Sequence, residues 1–368
     1  MLFSFNRKNF VDALLVGGSM AGKNKVLPIL DCVKINVKGD KSSVSSYNGE
    51  VAITKRIEIN ATEEAVLCVN KQDLDGFLRS VTDETISVEY NGSSIDIKHK
   101  KGKISLPTFD PQEFAQPNIE KEGDTIKVDS IPLLSAITDA YKFRTPKDDL
   151  RPIMTCINMT ANGNLLEVFA SDSKSLYGTS IELEEEATGF ILNLTDTAFA
   201  PLKNMLEQCE EVTIINGSRN FTIKSTDALM SATKMEGRYP NAKSVIPHYE
   251  KCSRITLNTK ELTESVKRCA MTADKATAIV TISCKMPNSI EVASKDIDFN
   301  KSTVEYVDCQ LEGDFTEFSI KYANLLNVLS CVKADNITLV AASERQPIVI
   351  EDELANNNTY LLMPFLPF

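Results

Sequence analysis

Apolar and polar positions along the chain follow one pattern written three times, with a period of about 125 residues. Each copy opens with apolar residues at helical spacing. They are Phe10, Ala13 and Leu14 in the first copy, Leu133, Leu134, Ile137 and Tyr141 in the second, and Leu262, Val266, Cys269 and Ala270 in the third. That spacing puts one apolar face on each of three short helices. Ser130, ahead of Pro132, reads as an N-cap before a first-turn proline. Strand-rich stretches follow, opening with Val26-Leu-Pro-Ile-Leu30, Arg151-Pro-Ile-Met154 and Thr277-Ala-Ile-Val280, and leading into alternating runs such as Thr155-Cys-Ile-Asn-Met159. A second helix is predicted in each copy from Leu74, Phe77 and Leu78, from Leu202, Met205 and Leu206, and from Tyr322, Leu325, Leu326 and Leu329.

Hairpins close the copies. Thr85–Tyr90 turns at Asn91-Gly92 into Ser93–Ile97, and Val212–Ile215 turns at Asn216-Gly217 into Asn220–Ile223. Asn-Gly between alternating runs supplies the positive φ values that a tight hairpin turn needs. The third copy has Asn336–Val340, a longer Ser-Glu-Arg-Gln link, and Pro347–Ile350. The pattern predicts an α+β chain of three similar domains, 1–120, 125–248 and 253–368, each with two helices against an antiparallel sheet. Polar linkers fall near Ile119–Asp124 and His248–Arg254.

Composition narrows this picture. With 42% hydrophobic and 25% charged residues the chain is not of the disordered class. No apolar run approaches the ~20 residues of a membrane helix, and Arg7, Lys8 and Asp12 interrupt any export signal at the start. Nine cysteines form no CxxC pair and sit mostly among apolar neighbours, as expected of reduced core thiols in a cytoplasmic protein. Forty basic residues against 51 acidic ones give a net charge of −11. A nucleic-acid binder with that balance must gather its cations on one face.

Segments that resemble catalytic motifs lack their partners. Gly17-Gly-Ser-Met-Ala-Gly22-Lys23 fits most of a phosphate-cradling loop, but Asn24 stands where the magnesium-holding hydroxyl belongs, and the segment leaves a helix instead of entering one. Ser171-Asp-Ser-Lys174 matches SxxK without the companion motifs of serine acyl enzymes. The two histidines are His99, in the run Lys98–Lys103 that reads as a solvated hairpin turn, and His248. No metal, cofactor or catalytic centre is expected.

Several segments, in order along the whole chain, resemble the bacterial beta sliding clamp family, the processivity subunits of DNA polymerase III. They are Leu27-Pro-Ile-Leu30, Leu106–Phe114, Glu236-Gly-Arg-Tyr-Pro240 with Val245-Ile-Pro247, and the tail Tyr360-Leu-Leu-Met-Pro-Phe365. The resemblance implies the DNA clamp fold and a head-to-tail homodimer forming a ring, helices inside and sheet outside, around double-stranded DNA bound without regard to sequence. Basic side chains on inner helices would then face phosphates while acids cover the outside. Candidate DNA-facing residues are Lys23, Asn24, Lys25, Arg79, Lys142, Arg144, Lys203, Lys267 and Arg268, each of which could equally belong to a solvated helix face.

The family's second site is an apolar pocket for short peptides of DNA polymerase, the clamp loader and repair proteins. Its matching positions are Met154, Ser171, Ser173, Leu176, Pro240, Val245, Tyr322, Leu361, Leu362, Met363, Pro364 and Phe365. The plainer alternative is that the apolar tail completes a strand and core. Ile104 and Leu106 resemble the family's dimer contact in the first domain, and Met271 and Thr272 the facing helix of the third. The chain also departs from the family. Ser171-Asp-Ser-Lys-Ser-Leu176 stands where Thr-Asp-Gly-His-Arg-Leu is common, Pro152-Ile153 where paired tyrosines are, Ala276 where a pocket phenylalanine is, and Pro367-Phe368 lengthen the tail. Two other readings are a nucleotide-dependent enzyme using the Gly17–Lys23 loop and a repeat-built scaffold that binds only proteins.

Overall fold

The computed structural model describes residues 1–22, 27–115, 118–148, 150–247, 249–286, 288–314, 317–355 and 357–365. Lys23, Asn24 and Lys25 therefore lie outside the described residues. Six α-helices are described: α1 (Arg7–Gly17), α2 (Lys71–Ser80), α3 (Ser130–Tyr141), α4 (Asp196–Leu206), α5 (Thr259–Ala270) and α6 (Tyr322–Leu329). None of them is long and apolar enough to cross a membrane. The rest is mainly antiparallel strand, so the α+β class holds.

A recurring junction builds these helices. A strand ends on asparagine, whose side chain accepts from first-turn N–H groups: Asn6 for α1, Asn70 for α2 and Asn258 for α5. Each cap satisfies donors that a helix start leaves without intrahelical partners. Ser130 begins α3, and its hydroxyl sits 3.1 Å from Cys209 Sγ. The predicted apolar faces are buried, as at Phe10, Leu14, Leu133, Ile137, Leu262 and Val266.

The chain divides into two compact units. One contains Met1–Leu134, Ala161–Leu165 and Leu183–Met235, the other Ser135–Thr160, Leu166–Glu182 and Glu236–Phe368. The first holds a thirteen-stranded sheet. Within it Val51–Arg56 pairs with Ala228–Thr233, Val51 opposite Ala232 and Lys55 opposite Ala228. Lys55 Nζ lies 2.7 Å from Asp227 Oδ2 beside this joint. The second unit is built on a ten-stranded sheet in which Ser175–Gly178 pairs with Thr359–Leu362.

The predicted hairpins form at Thr85–Tyr90 with Ser94–His99 and at Glu211–Asn216 with Asn220–Lys224. Gly92 takes φ 100° at the first turn, where Asn91 Oδ1 accepts from the N–H groups of Ser93 and Ser94. Two predicted strand openings are instead 3-10 turns, Pro28–Asp31 and Pro152–Thr155. The proline fixes φ near −65° and keeps the residue before it, Leu27 or Arg151, out of the helical region, so the chain turns first. The strands begin at Cys32 and Ile157.

Gly17 is required by close approach. A Cβ there would lie 2.4 Å from the carbonyl oxygen of Val44, a backbone atom that cannot swing aside. Gly17→Ala is expected to destabilise the first unit by about 2 kcal/mol. Urea unfolding checks this, and an unchanged midpoint would contradict the packing described.

Candidate functional site

In the second unit the tail is tied to the Ser171–Ser175 turn and to the strand Glu317–Lys321. Met363 N donates to the carbonyl of Lys174 at 2.7 Å, and Phe365 N to that of Ser319 at 2.6 Å. These bonds fix one wall of a cleft of about 800 Å³. Ser173, Leu362, Met363, Pro364 and Phe365, predicted from sequence, line it together. The rest of the lining includes Glu317–Lys321 and Asn324 on α6. Asn324 Nδ2 donates to Asp172 Oδ2 at 3.3 Å, which ties α6 to the Ser171–Ser175 turn.

That turn is held from within. Asp172 Oδ1 accepts from Lys174 N, Ser175 N and Ser175 Oγ, and Ser171 Oγ accepts from Ser173 N. Ser173 takes φ 70°, a left-handed conformation that costs about 1 kcal/mol for a residue with a Cβ. Leu176 and Leu361 lie beneath in a buried cluster with Phe169 and Ala242.

The other pocket candidates lie apart from the cleft lining. Ser171 N donates to the Tyr239 hydroxyl at 3.0 Å, and burial pushes the Tyr239 pKa up to about 12. Met154 is buried, Tyr322 opens α6, Pro240 is exposed, and Val245 is 52% exposed at the end of the turn Ala242–Val245.

Most basic candidates have partners. Arg79 Nε donates to Asp75 Oδ1 at 2.8 Å, and Lys203 Nζ is 3.9 Å from Glu207. Lys142 Nζ meets Ser330 Oγ at 3.1 Å, Cys331 Sγ at 3.3 Å and Asp139 Oδ1 at 3.3 Å. Burial pulls the Lys142 pKa down, but Cys331 and Asp139 outweigh it and the net direction is up. The Arg144 guanidinium stacks 3.9 Å over the Tyr141 ring. Arg268 pairs with Glu305 at 2.6 Å, while Lys267 is exposed and has no ion pair among the described residues. The six helices together carry eight basic and seven acidic residues, close to neutral in a chain of net charge −11. Acidic excess is therefore concentrated in strands and loops.

Each unit also has a strand with one unpaired edge. Gly102–Phe109 pairs along one side with Ser94–His99, yet meets Ala65–Asn70 only at Thr108 and Phe109. Lys301–Glu312 pairs with Ser289–Asp296 from Lys301 to Asp308, and with Ser253–Asn258 only from Cys309 onward. Residues 102–107 and 301–308 thus keep one free ladder edge each among the described residues. Ile104 is half-buried against the core, and Leu106 lies within it. Beside the second edge Met271 is 77% exposed, and Val304 and Tyr306 are also exposed. Thr272 Oγ1 bonds Ser294 and Thr303 within its own unit.

The profile described as DNA polymerase III beta subunit, N-terminal domain, matches residues 1–119, and that described as DNA polymerase III beta subunit, C-terminal domain, matches residues 243–366. The chain belongs to the DNA polymerase III beta subunit family. The Beta sliding clamp of Haemophilus influenzae is 19% identical over 369 residues, covering 99% of both chains. That of Bacillus subtilis is 21% identical over 377 residues, again with 99% of each covered. The crystal structures of a DNA polymerase sliding clamp from Pseudomonas aeruginosa and of DNA polymerase III, beta subunit, from Thermotoga maritima both superpose with TM-score 0.91. They are 17% and 20% identical to this chain, with both chains covered completely in each case, and establish the shared fold.

Within this family member, sequence reasoning missed the wall formed by Phe318, Ser319, Ile320 and Lys321, and the rim residues Lys174, Glu344 and Arg345. Alternation through Phe318 and Ile320 is the signal of a half-buried strand, but nothing local pairs that strand with the tail. Among the described residues no cluster of three or more His, Cys, Asp or Glu is placed to hold a metal.

Proposed function

We propose that the chain is a non-catalytic DNA sliding clamp that works in the cytoplasm. Two copies join head to tail into a ring around duplex DNA and tether the replicative polymerase for processive synthesis. Three domains, 1–120, 125–248 and 253–368, make up each copy. The observation that carries this reading is the pair of free strand edges, one in each unit, with Ile104 beside one and Met271 beside the other. Pairing them between copies would join the sheets and remove both edges. The cleft at Met363–Phe365 would take short peptides of the polymerase, the clamp loader and repair proteins.

Contacts to phosphate would come from the basic candidates. Lys267 is the readiest, whereas Arg79, Lys142 and Arg268 must exchange partners first. We expect protein loaded by a clamp loader to stay on nicked circular DNA and to leave when the circle is linearised. Equal retention on both forms would reject a topological link and favour a protein-binding scaffold. The nucleotide reading has weaker support, because Gly17 ends α1, so that the loop follows a helix C-terminus.

A further inference from the structure

We propose that the cleft beside the tail selects linear peptides whose apolar anchors are flanked by carboxylates, an inference that rests on reading this cleft as the peptide site. Its walls are preorganised, since backbone bonds from Met363 to Lys174 and from Phe365 to Ser319 hold the tail against two separate elements. Met363, Pro364 and Phe365 make the tail side of the cleft apolar above the buried Phe318, Ile320 and Leu362, and Met363 keeps 38% of its surface exposed. Apolar side chains of an extended peptide would seat there at alternate positions.

The rim adds charge selection. Lys174, Lys321 and Arg345 line the cleft against Glu317 and Glu344, which makes the site cationic within a chain of net charge −11. Arg345 and Glu344 lie 4.0 Å apart and largely cancel. Lys174 and Lys321 are exposed and form no ion pair among the described residues. Asp172, the carboxylate nearest Lys174 in sequence, accepts three hydrogen bonds at Oδ1 and one from Asn324 at Oδ2, so its bonding capacity is already used. The first turn of α6 borders the same cleft through Asn324, has no side-chain cap, and adds its partial positive charge. Two separate ammonium groups around an apolar centre are complementary to a peptide with acidic residues on both sides of its anchors.

The test titrates the full-length protein with two fluorescein-labelled peptides. Both contain four leucines alternating with serines; one is flanked by paired glutamates and the other by paired glutamines. The glutamate peptide should bind roughly fivefold tighter at low salt, with the advantage fading as ionic strength rises. Lys174→Gln with Lys321→Gln should abolish that advantage, so that the two peptides bind alike. Equal affinities on the unmodified protein would overturn charge selection and leave the peptide cleft standing. Binding of neither peptide would overturn both. Met363→Ala with Phe365→Ala locates the binding, because it should weaken both peptides alike. Persistence of the glutamate advantage in that variant, with undiminished affinity, would place the contact elsewhere and sink the proposal.

Discussion

Ile104→Asp should turn the dimer into monomers, with its dissociation constant raised roughly a hundredfold or more. The side chain sits on the strand segment whose outer edge has no ladder partner among the described residues, half-buried against the first unit's core. A carboxylate there would have to be desolvated when a second copy pairs with the edge. The same change also touches the core of its own unit, so loss of association alone could reflect unfolding. Met271→Asp separates the causes. Met271 is 77% exposed at the C-terminus of α5, so this variant should stay folded, with at most a small fall in thermal midpoint from a carboxylate at that helix end, and still dissociate. Sedimentation at micromolar concentration reads the outcome for both variants. A Met271→Asp protein that remains dimeric would remove this face from the contact.

Met363→Ala with Phe365→Ala should weaken partner peptides roughly a hundredfold and leave the dimer intact. Both residues line the cleft, and their backbone N–H groups, not their side chains, tie the tail to Lys174 and Ser319. Truncation therefore removes apolar wall while the tail keeps its path. Leu361 and Leu362, which are 3% and 1% exposed, belong to the core, and replacing them would confuse folding with binding. Unchanged peptide affinity in a fluorescence titration, with sedimentation still dimeric, would dismiss the cleft as the docking site.

Much of the architecture could be read from local signals. Asn91-Gly92 and Asn216-Gly217 located two hairpins because a tight turn restricts residue choice at those positions. Phe10, Leu14, Leu262 and Val266 marked buried helix faces through spacing alone. The prolines at 28 and 152 misled the strand reading, since apolar residues around a proline have no preference between a strand and one 3-10 turn. The asparagine caps escaped notice because asparagine is equally at home in turns: Asn70 Oδ1 accepts from Gln72 N and Asp73 N just as Asn91 Oδ1 accepts from Ser93 N and Ser94 N, and only the helix that follows separates the two.

The site was less legible than the fold. Ser173 and Phe365 come together only through long-range strand pairing, which no sequence window contains. Lys142 looked like a surface cation beside a helix end, yet its ammonium turns toward Ser330 and Cys331. Charge type is written in the sequence, but the direction of a flexible side chain depends on neighbours supplied by distant segments.

The state of the nine thiols has a practical use. Six are buried, and burial pushes Cys32 up to about 12 and Cys68, Cys269 and Cys331 up to about 11. A thiol with a pKa near 11 is only ~0.1% thiolate at pH 8 and reacts slowly with maleimides. One cysteine introduced on an exposed turn, with half-buried Cys252 replaced by serine, would therefore take up a dye ahead of these buried groups. Movement along a DNA molecule could then be filmed without stripping the native cysteines from the core.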